Sequence, residues 1–408
     1  MSSRLIVAGL DLGSHCVKCV IGLQHADGQL DIIGTGSHPA LGFKSGAVCD
    51  MERAVQSIRS AVDEAELMAG CEIKEAFLSV SSRHLSSFNG HGMARIIDET
   101  VDVADVHSAI DLAKAVKLQP DHQILHVIPQ DYIVDGRGGI DHALGVSGVR
   151  LEVQAHLVTG VLSQLETLEH CCQKAKLSIV DVMYSPLAQS ELLLTEDARQ
   201  SGVILIDVGA DTTDVSVYEG GSLVHAMTFA LGGEHVTKDI ESCLNTPAVE
   251  AEHLKRSYGA AQSELALPTD TVSIPGVGAR KSRDIKRSFL CEIIEARLEE
   301  LFSLIAADLD HWGYLANFPG GIVVTGGTAA MPGVAELAEQ VLGIPSACGE
   351  PRGLDGLVDV VRSPRYATAA GLVLCGVRLK HLQWFSTRQI KLRKRPSQGM
   401  FRRLWART

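Results

Sequence analysis

Two short segments set an aspartate, a glycine and a hydroxyl at the end of an apolar run. The first is Asp11-Leu12-Gly13-Ser14, followed by His15. Backbone N–H groups in such a turn form a nest for an anion, and the carboxylate can orient a hydrated Mg2+. Lys18 lies one β-repeat further and could reach a phosphate. The second is Asp207-Val208-Gly209-Ala210-Asp211-Thr212-Thr213-Asp214, which repeats the order of groups and adds hydroxyls. Either turn alone fits an ordinary strand end. Two of them can clamp a polyphosphate, with Asp11 and Asp207 holding the metal through water. A third segment, Thr325-Gly326-Gly327-Thr328, ends an apolar run in glycines, where backbone can approach a flat ring or a ribose. By itself it also fits a plain strand-to-helix turn. Gly232-Gly233-Glu234 opens a helical stretch, with Lys238 four residues after Glu234. That pair is either a surface contact or part of a nucleoside pocket.

Buried strands must deliver these groups. Residues 5–10 and 203–208 are apolar runs of strand type, each followed by further β-like runs and Gly-containing turns. The opening pattern therefore returns at residue 203, and the chain reads as two similar halves. Between them, residues 50–69 have helical spacing, with Ala54, Ile58, Ala61, Val62 and Leu67 on one face and Asp50 as N-cap. Residues 76–82 read as a strand, and the next eighty as a small α+β insertion. A helix over 163–176, a strand (IVDVMYS) and a helix (PLAQSELLLTEDA) lead into the second half. Charge-rich helices are expected over 233–260 and 282–310, with a hairpin or loop between them. A last apolar helix (ATAAGLVLCGVRL) precedes a polar tail from near Gln383.

Composition sets limits. The 408 residues are 46% hydrophobic but only 4% aromatic, so the cores must be aliphatic. A net charge of −12 argues against a nucleic-acid partner. The ten cysteines have no zinc-type spacing and read as buried free thiols. No signal peptide is expected at the start, and residues 367–377 are too short to span a bilayer, which takes about 20 residues.

The charge is uneven. Residues 386–408 hold eight Arg or Lys and no acid. Within 397–408, Met400, Phe401, Leu404 and Trp405 form one helical stripe, with Arg402, Arg403 and Arg407 on or beside the other face and Ser397 as N-cap. That is the pattern of an interfacial helix on an anionic membrane. Each large apolar side chain contributes about 1.5–3 kcal/mol when fully buried, so a single tail would bind reversibly and an oligomer tightly. The other reading is a tail packed on the body.

The order Asp-Gly hairpin, connector helix, second hairpin, Gly-Gly-Glu helix, Thr-Gly-Gly resembles the actin-like ATPase superfamily. The segments IVAGLDLGSHCVKCVIG, HVIPQDYIVD, LGVSGVRLEVQAHLVTG, LLLTEDARQSGVILIDVGADTTDVSVYEGG and GIVVTGGTAAMPGV narrow the resemblance to the FtsA family of bacterial division proteins, over about residues 5–380 and the tail. HVIPQ and GVSGVR are the most specific of these.

The resemblance implies an α/β, actin-like fold with two similar halves around a nucleotide cleft and an FtsA-type insertion subdomain, IC. It divides the chain into IA (1–83), IC (84–162), IA (163–200), IIA (201–240), IIB (241–310), IIA (311–364), a last IA helix (365–382), a basic linker (383–396) and a membrane-targeting helix (397–408). It implies ATP and Mg2+ as ligands. Asp207 and Gln189 are the candidate catalytic residues. Ser185 stands where MreB-like proteins hold Glu, and Gln189, one turn on, is a partial substitute for positioning water. Slow hydrolysis is the expectation. The partners implied are the FtsZ C-terminal peptide, further copies of the chain in an actin-like filament, and later division proteins on IC. The place is the cytoplasmic side of the inner membrane at the division site. The acidic, apolar FtsZ peptide is expected on a IIB helix, 283–300, at Lys286, Arg287 and Arg297 beside Phe289, Leu290 and Ile293. A pilus-assembly adaptor resembling PilM and a soluble actin-fold kinase are the alternatives. A chaperone domain of the same fold would need a following substrate domain.

Overall fold

The computed structural model describes residues 5–44, 46–140, 142–275, 282–315, 318–378 and 385–386. Two sheets share one plan. In the first, strands Leu5–Leu12, Cys16–Gln24 and Leu30–Pro39 form an antiparallel meander. Glu75–Val80 and Ser178–Tyr184 continue it in parallel on the Leu5–Leu12 side. In the second, Val203–Val208, Thr213–Glu219 and Ser222–Phe229 form the meander, continued in parallel by Ile322–Thr325 and Ser346–Cys348. The repeat read in the sequence is thus a repeat of topology. It extends to register, for Asp11 pairs with Lys18 and Asp207 with Asp214 at equivalent places.

The central strands are apolar because both faces are covered. Ile204, Leu205 and Ile206 are at most 1% exposed. On the first sheet the helix Met51–Ala69 buries Ala54, Ile58, Ala61 and Ala65, spaced by three and four. Asp50 caps it by accepting the Arg53 N–H at 3.2 Å. Leu67, expected on that face, is 85% exposed, since five residues past Val62 the helix has turned away.

Two helices lie where the sheets meet. Ala367–Arg378 packs on Leu5–Leu12, and Ser185–Leu193 touches both Ser178–Tyr184 and Val203–Val208. Their backbones are in direct contact: a Cβ at Gly371 would lie 2.2 Å from the Ala188 carbonyl oxygen. Leu187, Leu192, Leu205 and Leu372 share one core there, and a second core around Phe302 fills the second half.

The insertion is a sheet of its own. Ser86–Arg95, Arg150–Val161 and His122–Val134 lie side by side, with the helix Val103–Ala113 against them. Ser87 Oγ donates to the Ala226 carbonyl and Ser222 Oγ to the Pro129 carbonyl, both at 2.9 Å, so the insertion leans on the second sheet.

Five expectations need correction. The helix expected over PLAQSELLLTEDA stops at Leu193, because the Thr195 side chain accepts the Ala198 N–H and caps a new helix, Glu196–Ser201. The helix expected over 233–260 breaks at Asn245, which ends Gly233–Leu244 in the left-handed region before Ala248–Tyr258 begins. The helix expected from 282 begins at Arg287, because Arg283–Lys286 pairs as a strand with Thr271–Ile274. Within the polar tail, Phe385–Ser386 pairs with Val127 and His126 on the edge of the insertion sheet. The rest of the linker and the helix expected over 397–408, with Met400, Phe401, Arg402, Arg403, Leu404, Trp405 and Arg407, lie outside the described residues. All ten cysteines are free, but Cys49, Cys243 and Cys348 are exposed rather than buried. Among the described residues, no helix is long and apolar enough to cross a membrane.

Candidate functional site

A cavity of about 360 Å3 opens between the two halves, within the range of small-molecule sites, about 300–1,000 Å3. The first hairpin brings Asp11, Gly13, Ser14, His15 and Lys18 to it. The second brings Asp207, Gly209, Ala210 and Thr212. Gly233, Glu234, Gly326, Gly327 and Thr328 complete the set expected from sequence. Asp211, Thr213, Gly232, Lys238 and Gln189 are not among the lining residues.

On the first side Asp11 is already partnered. Lys18 Nζ stands 3.1 Å from Asp11 Oδ2, and Ser79 Oγ donates to Oδ1 at 2.9 Å. Burial disfavours the Lys18 ammonium, but the Asp11 charge and hydrogen bond outweigh it and hold its pKa above the ordinary value. Lys18 therefore serves Asp11 rather than standing free for a phosphate.

The second side holds two carboxylates. Burial first, and the nearby Asp214 second, push Asp207 up to about 7, against the Gln189 hydrogen bond. Gln189 is 1% exposed and sits behind Asp207. Its Nε2 donates to Asp207 Oδ2 at 2.5 Å and to Thr368 Oγ1 at 2.8 Å. The amide that sequence reasoning offered for positioning water is thus engaged in holding Asp207. Ser185, one turn earlier, does line the cavity.

The turn after Asp207 is fixed from two directions. The N–H groups of Gly233 and Glu234, at the start of their helix, donate to the carbonyls of Gly209 and Ala210 at 2.9 and 2.8 Å. Thr328 Oγ1 donates to the Gly209 carbonyl at 3.2 Å. Gly232 caps that helix, where a Cβ would meet the Ala210 carbonyl oxygen at 2.6 Å. Thr213 turns its hydroxyl to the Leu231 carbonyl. Gly326, at φ 93°, has a role not read from sequence, since a Cβ there would lie 2.1 Å from Asp207 Oδ1. Gly327 has nothing within 4 Å of its Cβ position, which leaves that backbone open to a ligand.

Lys255 takes the place given to Lys238. Lys238 is exposed, one turn along a helix that leads away from the cavity. Lys255, on the next helix, lines the cavity beside Glu252 and Arg256, and its Nζ donates to the Gly233 carbonyl at 2.8 Å and to Thr237 Oγ1 at 2.7 Å. Nothing in the local charge pattern separates Lys255 from its charged neighbours, so sequence reasoning missed it. It missed Ser79, Ser81, Arg365, Tyr366 and Thr368 as lining groups for the same reason, and it left Asp214 unused. Burial holds the His15 imidazole below its ordinary pKa, against the pull of Glu252. Among the described residues no cluster of three His, Cys, Asp or Glu could hold a metal directly.

The residues expected to meet a peptide are more occupied than their types suggest. Arg297 pairs with Asp239 and Glu300, and Arg287 with Asp270 and the Tyr258 carbonyl. Lys286 is exposed at a strand end. Leu290 is fully buried, so the apolar strip reduces to Phe289, 45% exposed, and the partly buried Ile293.

A family model described as cell division protein FtsA matches residues 204–371, and one described as the SHS2 domain inserted in FtsA matches 82–159. Cell division protein FtsA of Pseudomonas aeruginosa is 40% identical over 378 residues, 93% of this chain and 91% of that one. The Escherichia coli K12 protein of the same name is 36% identical over 382 residues, 92% and 91% of the two chains. Among solved structures, the PilM–PilN type IV pilus biogenesis complex superposes with a TM-score of 0.67 at 16% identity, over 92% of this chain and 99% of that one. MreB5 of Spiroplasma citri bound to ADP gives 0.56 at 12% identity, over 92% and 97%. With its actin-like fold and its inserted domain, the chain belongs to the cell division protein FtsA family.

Proposed function

We propose that the chain is a division adaptor that binds ATP with Mg2+ in the cleft. In this reading it assembles with its own copies on the cytoplasmic face of the inner membrane through residues 397–408, anchors FtsZ filaments and receives later division proteins on the insertion. The subdomain division by residue number belongs to the same reading. One observation carries it: two aspartate hairpins of equivalent topology and register line one cavity from opposite halves. Asp11 and Asp207 would hold Mg2+ through water. The fit is chemical, because Asp207 and Asp214 lie together with no ion-paired side chain among the described residues, and a cation there would favour their ionised forms. Hydrolysis is slow in this reading, since Gln189 is engaged with Asp207 and Ser185 offers only a hydroxyl.

Liposome co-sedimentation with ATP and Mg2+ tests the adaptor. The full chain is expected to pellet with anionic vesicles, and a chain ending at Arg395 to stay in the supernatant. If both stay in the supernatant, the tail is a docking element and a pilus-type adaptor becomes the better reading.

The peptide site has its own test. Arg297→Glu and Lys286→Glu are each expected to weaken binding of a labelled FtsZ C-terminal peptide about fivefold or more, as charge reversal at an interface does. The second variant controls for the lost Asp239 pair. Unchanged affinity in both discards this helix as the site.

A further inference from the structure

Asp214 occupies, on the second half, the register position that Lys18 occupies on the first. Where the first half sets its own counter-ion beside Asp11, the second sets another carboxylate beside Asp207. Asp214 is 3% exposed, and its carboxylate lines the cleft. Two hydroxyls serve it. Thr228 Oγ1, from its own sheet, donates to Oδ1 at 2.6 Å, and Ser81 Oγ donates to Oδ2. Ser81 belongs to the other half, 133 residues away in the chain, just past the end of Glu75–Val80. Two residues earlier Ser79 donates to Asp11. One strand end therefore reaches the carboxylates of both halves. Both partners of the Ser81–Asp214 bond line the cavity, whereas the Gln189 partner of Asp207 lies behind it.

We propose that the Ser81–Asp214 hydrogen bond is a latch that holds the two halves closed and sets how long a bound ligand stays, so that Ser81 is a positioning residue of the cleft. The part about ligand residence rests on the nucleotide reading above. A hydroxyl on a carboxylate is a charge-assisted bond, stronger than a neutral one in a water-poor cleft. It is also exchangeable. If the halves part, Thr228 still serves Oδ1 and water can serve Oδ2, so opening leaves no buried charge unpaired. A bond of that kind biases an open–closed equilibrium without locking it. The contact of Ala188 with Gly371 lies between two helices of the first half, so the cleft can open without breaking it.

Two readouts on the full chain decide it. The first is amide hydrogen exchange of residues 207–214 in ligand-free protein. Ser81→Ala is expected to speed it about tenfold, and Ser81→Thr, which restores the hydroxyl, to leave it near wild type. The second is release of a fluorescent ATP analogue with Mg2+, expected about tenfold faster in Ser81→Ala and unchanged in Ser81→Thr. Unchanged exchange in Ser81→Ala overturns the latch, whatever the nucleotide does. Faster exchange with unchanged release overturns its control of residence. If wild type takes up no analogue, the nucleotide reading fails, and the exchange result alone supports or overturns the latch.

Discussion

Asp207→Asn is expected to make the ligand-free chain more stable above pH 7 and to abolish its stabilisation by ATP and Mg2+. Burial and Asp214 raise the Asp207 pKa from 3.8 to about 7. A carboxyl raised in this way gives its full contribution to folding below pH 3.8, and that contribution is lost as pH rises through about 7. Above neutrality the folded chain must hold an ionised Asp207 beside Asp214. Asparagine removes that charge. Its side-chain oxygen can take the place of Asp207 Oδ2 as the acceptor from Gln189. The shift sets an upper limit of about 4 kcal/mol, and relaxation reduces the expected gain at pH 8 to about 2 kcal/mol. Thermal melts of both proteins at pH 5, 6.5 and 8 measure it. The gap should widen with pH, and a variant that melts below wild type throughout would contradict this account. In wild type, ATP with Mg2+ at 100 times its Kd should add about 2.7 kcal/mol. In the variant the addition should vanish, because the carboxylate proposed to meet the metal's water shell is gone.

A single methyl at Gly371 is expected to cost about 3 kcal/mol, at the upper end for overpacking. Its Cβ would lie 2.2 Å from the Ala188 oxygen, 2.6 Å from the Ala188 carbonyl carbon and 3.2 Å from the Gln189 nitrogen. All three are backbone atoms, so no rotamer can relieve the clash. One whole helix must move. On the same helix the Ala369 oxygen would lie 2.3 Å from a Cβ at Gly9, so the strand Leu5–Leu12 also leaves it little room to back away. Any shift of Ala188 carries Gln189 with it and loosens Asp207. Gly327→Ala is the control, because nothing lies within 4 Å of its Cβ and it should change stability by less than about 0.5 kcal/mol. Urea unfolding of the two variants gives the comparison. A loss under about 1 kcal/mol for Gly371→Ala would show that the helices can separate.

What could be read from sequence was local. Asp11 and Asp207 each end a continuous apolar run beside glycines, so strand, turn and carboxylate are specified within a dozen residues. The same holds for Asp50 as a cap and for the doubled topology. What could not be read depends on partners far along the chain. Gln189 is separated from Asp207 by 18 residues and from Thr368 by 179. Its amide looked available because neither contact is visible in SPLAQ. Lys238 and Lys255 have the same chemistry, and only the break at Asn245 decides which of them turns to the cleft. Arg283–Lys286 is a strand because Thr271–Ile274 lies beside it, an influence of tertiary pairing over local preference. Leu290 was expected in an apolar strip open to a peptide, but the core of the second half claims it.

The short strand Phe385–Ser386 places the start of the C-terminal segment on the edge of the insertion sheet. Met400 lies 14 positions after Ser386, a span of about 50 Å when fully stretched. If residues 397–408 hold a surface, as proposed above, the body is attached to it through the insertion rather than through the cleft between the halves. The cleft can then open and close while the point of suspension stays still.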